Sequence, residues 1–185
     1  MKKISVLFLF VLMIMTTPVL SGANSFVVGV EAGYYSPIDN NFTDIYGSGE
    51  VTFGVNAAYR FLKFLSIQTA YTAYSAEGEP LIPGFDLNVG LKTLRIGGFF
   101  HLDLKKMIPK AGGGFARTWV SGETPFGSID DSRSGWFLGT GMDVRVFKNF
   151  LTGFELLYND VAFTVNNTPV SVGGLSFLAS FKVEI

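Results

Sequence analysis

Hydrophobic side chains occupy every second position over long stretches of this chain. Where the regular pattern begins, Phe26, Val28 and Val30 share one parity, whereas Gly29 and Glu31 share the other. A period of two predicts a β-strand with one apolar face and one small or polar face. The alternation recurs in seven further segments, and apolar residues never recur at three and four positions for long. The pattern therefore predicts eight strands and no substantial helix.

The connections between the predicted strands differ in length in a regular way. The long ones follow the odd-numbered strands and cover residues 36–49, 76–84, 122–134 and 159–169. Short turns follow most of the even-numbered strands. If consecutive strands run up and down, the long loops all meet at one end of the sheet, as they do in barrels that span a membrane.

The fourth predicted strand departs from simple alternation. Its first apolar residues, including Val89 and Leu91, have the opposite parity to the later ones, which include Leu94 and Ile96. An extra residue in one strand of a pair reverses the facing of all that follow. We therefore expect a β-bulge near Lys92 and Thr93.

The two predicted faces differ in composition. One face is continuously apolar, and the other mixes small residues with isolated charges: Glu31, Arg60, Arg95, Asp143, Arg145, Glu155 and Lys182. A narrow eight-stranded barrel accommodates small residues and paired charges inside. We expect Arg95 and Arg145 to pair with acids drawn from Glu31, Asp143 and Glu155, as a polar network that rigidifies the lumen. A proton or ion path is the alternative.

Aromatic residues supply a second test of what each face meets. Threading the strands up and down places five outward-facing aromatics near the long-loop end: Tyr34, Tyr71, Trp119, Trp136 and Tyr158. Such a belt is typical of a membrane–water interface. The sequence thus predicts an all-β fold, an eight-stranded antiparallel up-and-down transmembrane β-barrel. A soluble barrel of the lipocalin type is the alternative fold.

The beginning of the chain has the layout of a secretory signal peptide. Lys2 and Lys3 precede the apolar run at residues 4–15, and small residues lead up to Asn24. This twelve-residue run falls short of the roughly twenty that a membrane-spanning helix needs. We expect residues 1–23 to be a cleaved signal peptide and residues 24–185 to form the barrel domain.

Composition excludes several kinds of chemistry. The chain has no cysteine, a net charge of −1 and only 16% charged residues, so neither thiolate metal sites nor a basic nucleic-acid surface is indicated. The lone histidine, His101, is expected near the short-turn end. An ordinary histidine in the lumen or at the barrel rim explains it better than acid–base catalysis, and we expect no enzymatic activity and no cofactor.

One segment carries a family resemblance. Gly139, Asp143 and Arg145 form a Gly-x-Gly-x-Asp-x-Arg strand, followed by a short turn and a Gly-x-Glu strand at Gly153 and Glu155. This segment, and the alternating aromatic C-terminus, resemble small outer-membrane β-barrel proteins of the OmpX, Ail and OmpA transmembrane-domain type. One departure is the final residue, which is isoleucine where that group usually has Phe or Trp.

The resemblance implies a location and a class of function. It implies a protein of the bacterial outer membrane, in contact with outer-membrane lipid and lipopolysaccharide and inserted by the outer-membrane assembly machinery. The implied role is envelope-structural, or surface binding and adhesion through extracellular loops, with an unknown surface ligand. The alternative is transport of small hydrophobic or ionic solutes, as in barrels resembling OmpW. Nucleic acid is not an expected partner.

Overall fold

The computed structural model describes residues 24–38, 43, 49–78, 87–124, 127–165 and 168–185. Within these residues the chain forms ten strands: β1 Ser25–Pro37, β2 Glu50–Leu62, β3 Leu65–Gly78, β4 Leu87–His101, β5 Met107–Thr124, β6 Gly127–Phe147, β7 Phe150–Asp160, β8 Ala162–Val165, β9 Thr168–Ser171 and β10 Gly174–Glu184. No helix of the described residues is long and apolar enough to cross a membrane.

Eight of these strands close into a single antiparallel barrel, in the order β1, β2, β3, β4, β5, β6, β7 and β10. The barrel closes where β10 pairs with β1, in a register that sets Val183 opposite Val28 and Phe177 opposite Tyr34. At the end of this seam, the Phe26 amide donates to the Ile185 carbonyl at 3.0 Å, and the Ile185 amide donates back at 2.7 Å. The predicted fold class and the predicted pairing of the last strand with the first are both confirmed.

Two of the predicted long loops contain β-structure instead. In place of the predicted loop 159–169, β7 continues to Asp160, and β8 and β9 then form a small hairpin outside the barrel order that extends to Ser171. The prediction of a polar loop at 122–134 is wrong, because β5 and β6 stay paired up to Thr124 and Gly127. Where strands extend past the part of the barrel whose outer face is apolar, their residues need not alternate. A polar sequence can therefore continue the β5–β6 pairing there. Most of 36–49 and 79–86 lies outside the described residues.

The predicted β-bulge near Lys92 and Thr93 is also wrong. The β3–β4 register runs without a shift through this region, with Thr93 opposite Thr72 and Lys92 opposite Ala73. The apolar residues of reversed parity point into the barrel, where Val89 and Leu91 are buried. The β4 residues that face the interior change from apolar to polar along the strand, because the interior is apolar near the long-loop end and polar toward the short-turn end.

The barrel wall is apolar outside and polar inside. On the outside, Phe115 is 80% exposed and Phe100 is 64% exposed, whereas inside Glu155 is only 2% exposed. Contiguous exposed apolar surface on this scale is typical of a surface that contacts a membrane or another protein. The distribution is therefore the reverse of that expected for the soluble lipocalin-like barrel.

The interior has two apolar clusters besides its polar groups. The larger cluster consists of Tyr35, Tyr74, Val89, Leu91, Phe99, Ala116, Val120, Phe137, Leu157, Val161, Val172 and Leu178. In it, the Tyr35 and Tyr74 rings meet edge to face at 5.1 Å, and the Tyr35 hydroxyl donates to the Val172 carbonyl. The smaller cluster, formed by Val27, Ile108 and Leu151, lies toward the short-turn end. Charged side chains occupy the space between.

Candidate functional site: the ion-paired lumen

The first element of the lumen site is a buried pair on facing walls. The Arg95 guanidinium on β4 donates to the Glu31 carboxylate on β1 at 2.8 Å, and both side chains are almost fully buried. The Asn56 side-chain amide donates to the other oxygen of Glu31 at 2.7 Å. Breaking such a pair leaves an uncompensated charge, so each partner holds the other in place.

The second element is a four-membered cluster of two acids and two bases. The Lys182 ammonium donates to Asp143 at 2.8 Å and to Glu155 at 2.9 Å. The Lys110 ammonium donates to Glu155 and lies 3.4 Å from Asp143. The Gln68 amide donates to the second oxygen of Glu155 at 3.3 Å. All four charged side chains are at most 6% exposed. The buried charges therefore cancel within the lumen.

A third group of charges lies at the short-turn rim. The Glu184 carboxylate accepts from Arg60 at 2.7 Å, from Arg145 at 2.8 Å and from the Ser25 hydroxyl at 2.8 Å. Arg145 also lies 3.6 Å from Asp103 in the neighbouring turn. The predicted pairing of Arg145 with Glu31, Asp143 or Glu155 is therefore wrong. Its position near the end of β6 places it beyond their reach, whereas the predicted pairing of Arg95 is confirmed.

Glycines make room for these charged side chains. Each of the three lumen acids lies opposite a glycine, the pairs being Glu31 with Gly54, Asp143 with Gly153, and Glu155 with Gly141. A Cβ added at Gly153 would lie 2.3 Å from Asp143 Oδ1, and one added at Gly141 would lie 2.9 Å from Glu155 Cγ. The acid–glycine pairing is a sequence signal that could have located the cluster.

Sequence reasoning missed two members of the site. Lys110 is not among the predicted lumen charges; it lies near the start of β5, which begins at Met107. Glu184 is not among them either; it ends β10, and its parity, which matches that of Lys182, turns it inward. Extending the alternation to the strand ends would have found both residues.

Packing and ion pairs together close the lumen. The cavity among Tyr35, Tyr74, Leu91 and surrounding threonines has a volume of about 20 Å³, as does a second cavity beside Lys110 and Asp143. Each could hold about one water molecule. A larger recess of about 450 Å³ opens at the short-turn rim, beside Arg60, Lys63 and Asp103. At these two levels the interior leaves room for little more than one water molecule, because packed side chains and ion pairs fill it.

His101 lies at the short-turn end, as its sequence position predicts. It ends β4, its side chain is buried, and its Nδ1 has no hydrogen-bond partner among the described residues. Ser66 lines the same small cavity, but its hydroxyl donates to the Phe99 carbonyl at 3.4 Å. The Ser66 hydroxyl is therefore directed at the backbone of β4. The described part of the chain also contains no cluster of three metal-ligating side chains.

The five aromatic residues of the predicted belt all lie on the outer wall. Tyr34, Tyr71 and Trp136 are exposed, and Trp119 and Tyr158 are half-buried. The Trp136 and Tyr158 rings lie 5.4 Å apart on neighbouring strands. The position of this belt at a membrane interface stays a prediction.

Comparison with solved structures supports the fold. No protein-family model matches the chain, and no curated protein matches it as a relative. Among solved structures, it is similar to the outer membrane protein OprG of Pseudomonas aeruginosa, with a TM-score of 0.65 and 11% identity over 88% of this chain and 96% of that one. Neisserial surface protein A has a TM-score of 0.60 and 16% identity over 86% of this chain and 96% of its own.

A third similar structure is the attachment invasion locus protein Ail of Yersinia pestis, in complex with the heparin analogue sucrose octasulfate. Its TM-score is 0.53, with 13% identity over 90% of this chain and all of that one. At such identities the likeness concerns the fold alone. It agrees with the closed barrel that the strand pairing forms. The chain has the fold of the small eight-stranded outer-membrane β-barrel proteins.

Proposed function

We propose that this chain is a non-enzymatic protein of the bacterial outer membrane that acts through the surface it displays, as an envelope-structural or adhesive protein. The observation that carries this proposal is the closed lumen. A solute would have to displace the Tyr35–Tyr74 packing and then the buried ion pairs around Glu155, and breaking one buried pair costs about 3 to 5 kcal/mol. That cost favours a structural or adhesive role over solute transport.

Two further observations support the surface role. The apolar outer wall suits a protein that hydrocarbon solvates, since a closed barrel leaves no strand edge without hydrogen-bond partners. One structural neighbour, Ail, is named for attachment and was solved with a heparin analogue. Attachment through the extracellular loops is the corresponding role for this chain, with the predicted signal peptide at 1–23 directing its export.

Conductance across a planar lipid bilayer tests the proposal against solute transport. The purified protein should insert without producing discrete conductance steps, whereas a general porin added to the same bilayer should produce them. Steady conductance that disappears when Tyr74 or Leu91 is replaced by Trp would contradict the proposal and favour transport. Comparing the lipid A of a deletion strain with that of its parent tests the absence of lipid-modifying activity, and we expect the two to be identical.

A further inference from the structure

Two cations without an ion-pair partner among the described residues lie together on the outer wall of the barrel. Lys92 on β4 and Arg117 on β5 both face outward and are exposed. Lys92 lies directly opposite Trp119, and Arg117 lies two residues before Trp119 on the same face. Such diagonal neighbours have Cα atoms about 7–8 Å apart. None of the ion pairs formed by the described residues includes either of them.

The two cations lie at the level of the aromatic belt. The Arg117 guanidinium lies 5.6 Å from the centre of the Trp119 ring and donates to the Ser132 hydroxyl at 2.9 Å. These two contacts orient the guanidinium on the outer surface and leave its remaining donors free to bind an anion. Trp and Tyr mark the headgroup level of a membrane, so the predicted position of the belt puts both cations at the level of lipid phosphates.

Directly below the cations the wall is apolar. The next outward pair toward the short-turn end is Ile96 and Phe115, which lie opposite each other and are 51% and 80% exposed. The arrangement therefore combines two cations at headgroup level with an adjoining surface for acyl chains. Two like charges this close repel each other unless an anion lies between them.

We propose that Lys92 and Arg117 form a binding site for the phosphate of an anionic lipid in the outer leaflet, with its acyl chains against Ile96 and Phe115. This inference rests on the proposed location in the outer membrane, where the anionic lipid of that leaflet is the phosphorylated glycolipid of lipopolysaccharide. A guanidinium and an ammonium bind phosphate oxygens through charge-assisted hydrogen bonds. At this site the barrel would bind that lipid specifically, in addition to being surrounded by lipid in general.

The test is a titration of the purified full-length mature protein, in mixed micelles, with diphosphoryl lipid A, followed by tryptophan fluorescence. Lys92→Gln with Arg117→Gln should weaken binding by about a hundred-fold, because each of the two charge-assisted hydrogen bonds lost is worth about ten-fold. The charge-preserving variant Lys92→Arg with Arg117→Lys should retain most of the affinity. A matched control, Lys63→Gln with Lys106→Gln, removes two exposed cations from the short-turn end and should leave binding within about two-fold.

Several results would overturn the site. Equal affinity of the wild type and the Lys92→Gln, Arg117→Gln variant would remove these residues from lipid binding. Equal affinity for lipid A stripped of its phosphates would show that only the acyl chains are recognised, and displacement by dilute inorganic phosphate would make it a site for a free anion. Each outcome is independent of bilayer conductance, so the lipid site and the proposed function can fail separately.

Discussion

Replacing Glu155 with leucine should destabilise the barrel strongly. Glu155 is 2% exposed and accepts hydrogen bonds from Lys110, Lys182 and Gln68. Leucine fills a similar volume but leaves both ammonium groups to share Asp143 alone, and the cluster gains a net positive charge. Removing one partner of a buried pair costs about 3 to 5 kcal/mol. Because Asp143 still pairs with both lysines, we expect the lower end, about 3 kcal/mol.

The assay is equilibrium unfolding in urea of the protein reconstituted in lipid vesicles, read from the heat-modifiable band on gels and from tryptophan fluorescence. Adding Lys110→Met to Glu155→Leu restores the charge balance around the Asp143–Lys182 pair, so the double variant should be more stable than Glu155→Leu alone. The control Glu50→Leu, at an exposed position, should change the free energy of unfolding by no more than about 0.5 kcal/mol. An unchanged urea midpoint for Glu155→Leu would refute the reasoning, since Glu155 would then be solvated or unpaired.

Four further predictions concern assembly and topology. Epitope tags inserted at 79–86 or 125–126 should be bound by antibody on intact cells, and labelling seen only after permeabilisation would invert the topology. Deleting residues 181–185 removes the end of the seam with β1 and should abolish the folded band, so a compact protease-resistant product would contradict the assignment of β10. Gly112→Val should impair folding, because its Cβ would lie 2.1 Å from the Gly98 carbonyl oxygen, whereas Gly98→Val, with nothing within 4 Å, should fold normally; equal yields would refute this packing argument. Mass spectrometry of the mature protein should find Asn24 at the N-terminus, and retention of residues 1–23 would disprove the predicted signal peptide.

The strand pattern predicts the barrel because hydrocarbon constrains only one face. Along the last strand, for example, Leu175, Phe177 and Phe181 all face outward, as the alternation predicts. The rule that apolar parity marks the outer face gives a wrong result where the inner face is apolar too. At Val89 and Leu91 the interior is itself apolar, so apolar parity did not identify the outer face, and a bulge was inferred where the strand is regular.

The sequence predicts which charged residues face the lumen better than it predicts their ion-pair partners. Parity turned Arg145 inward correctly, but its partner depends on its height in the barrel, which follows from the strand register and tilt. The partners Glu184 and Asp103 lie on a strand end and in a turn, where a two-residue period carries little information. For Arg95 the sequence predicts a lumen acid as partner but not which of the three, and the strand register decides for Glu31.

We propose that this chain is an integral barrel of the outer membrane, solvated by lipid on its apolar wall. The most direct measurement is to separate the inner and outer membranes on a density gradient and to wash them with urea and alkali before blotting for the chain. We expect the protein in the outer-membrane fraction, released only by detergent. Recovery in the soluble periplasmic fraction, or release by the wash alone, would contradict the claim.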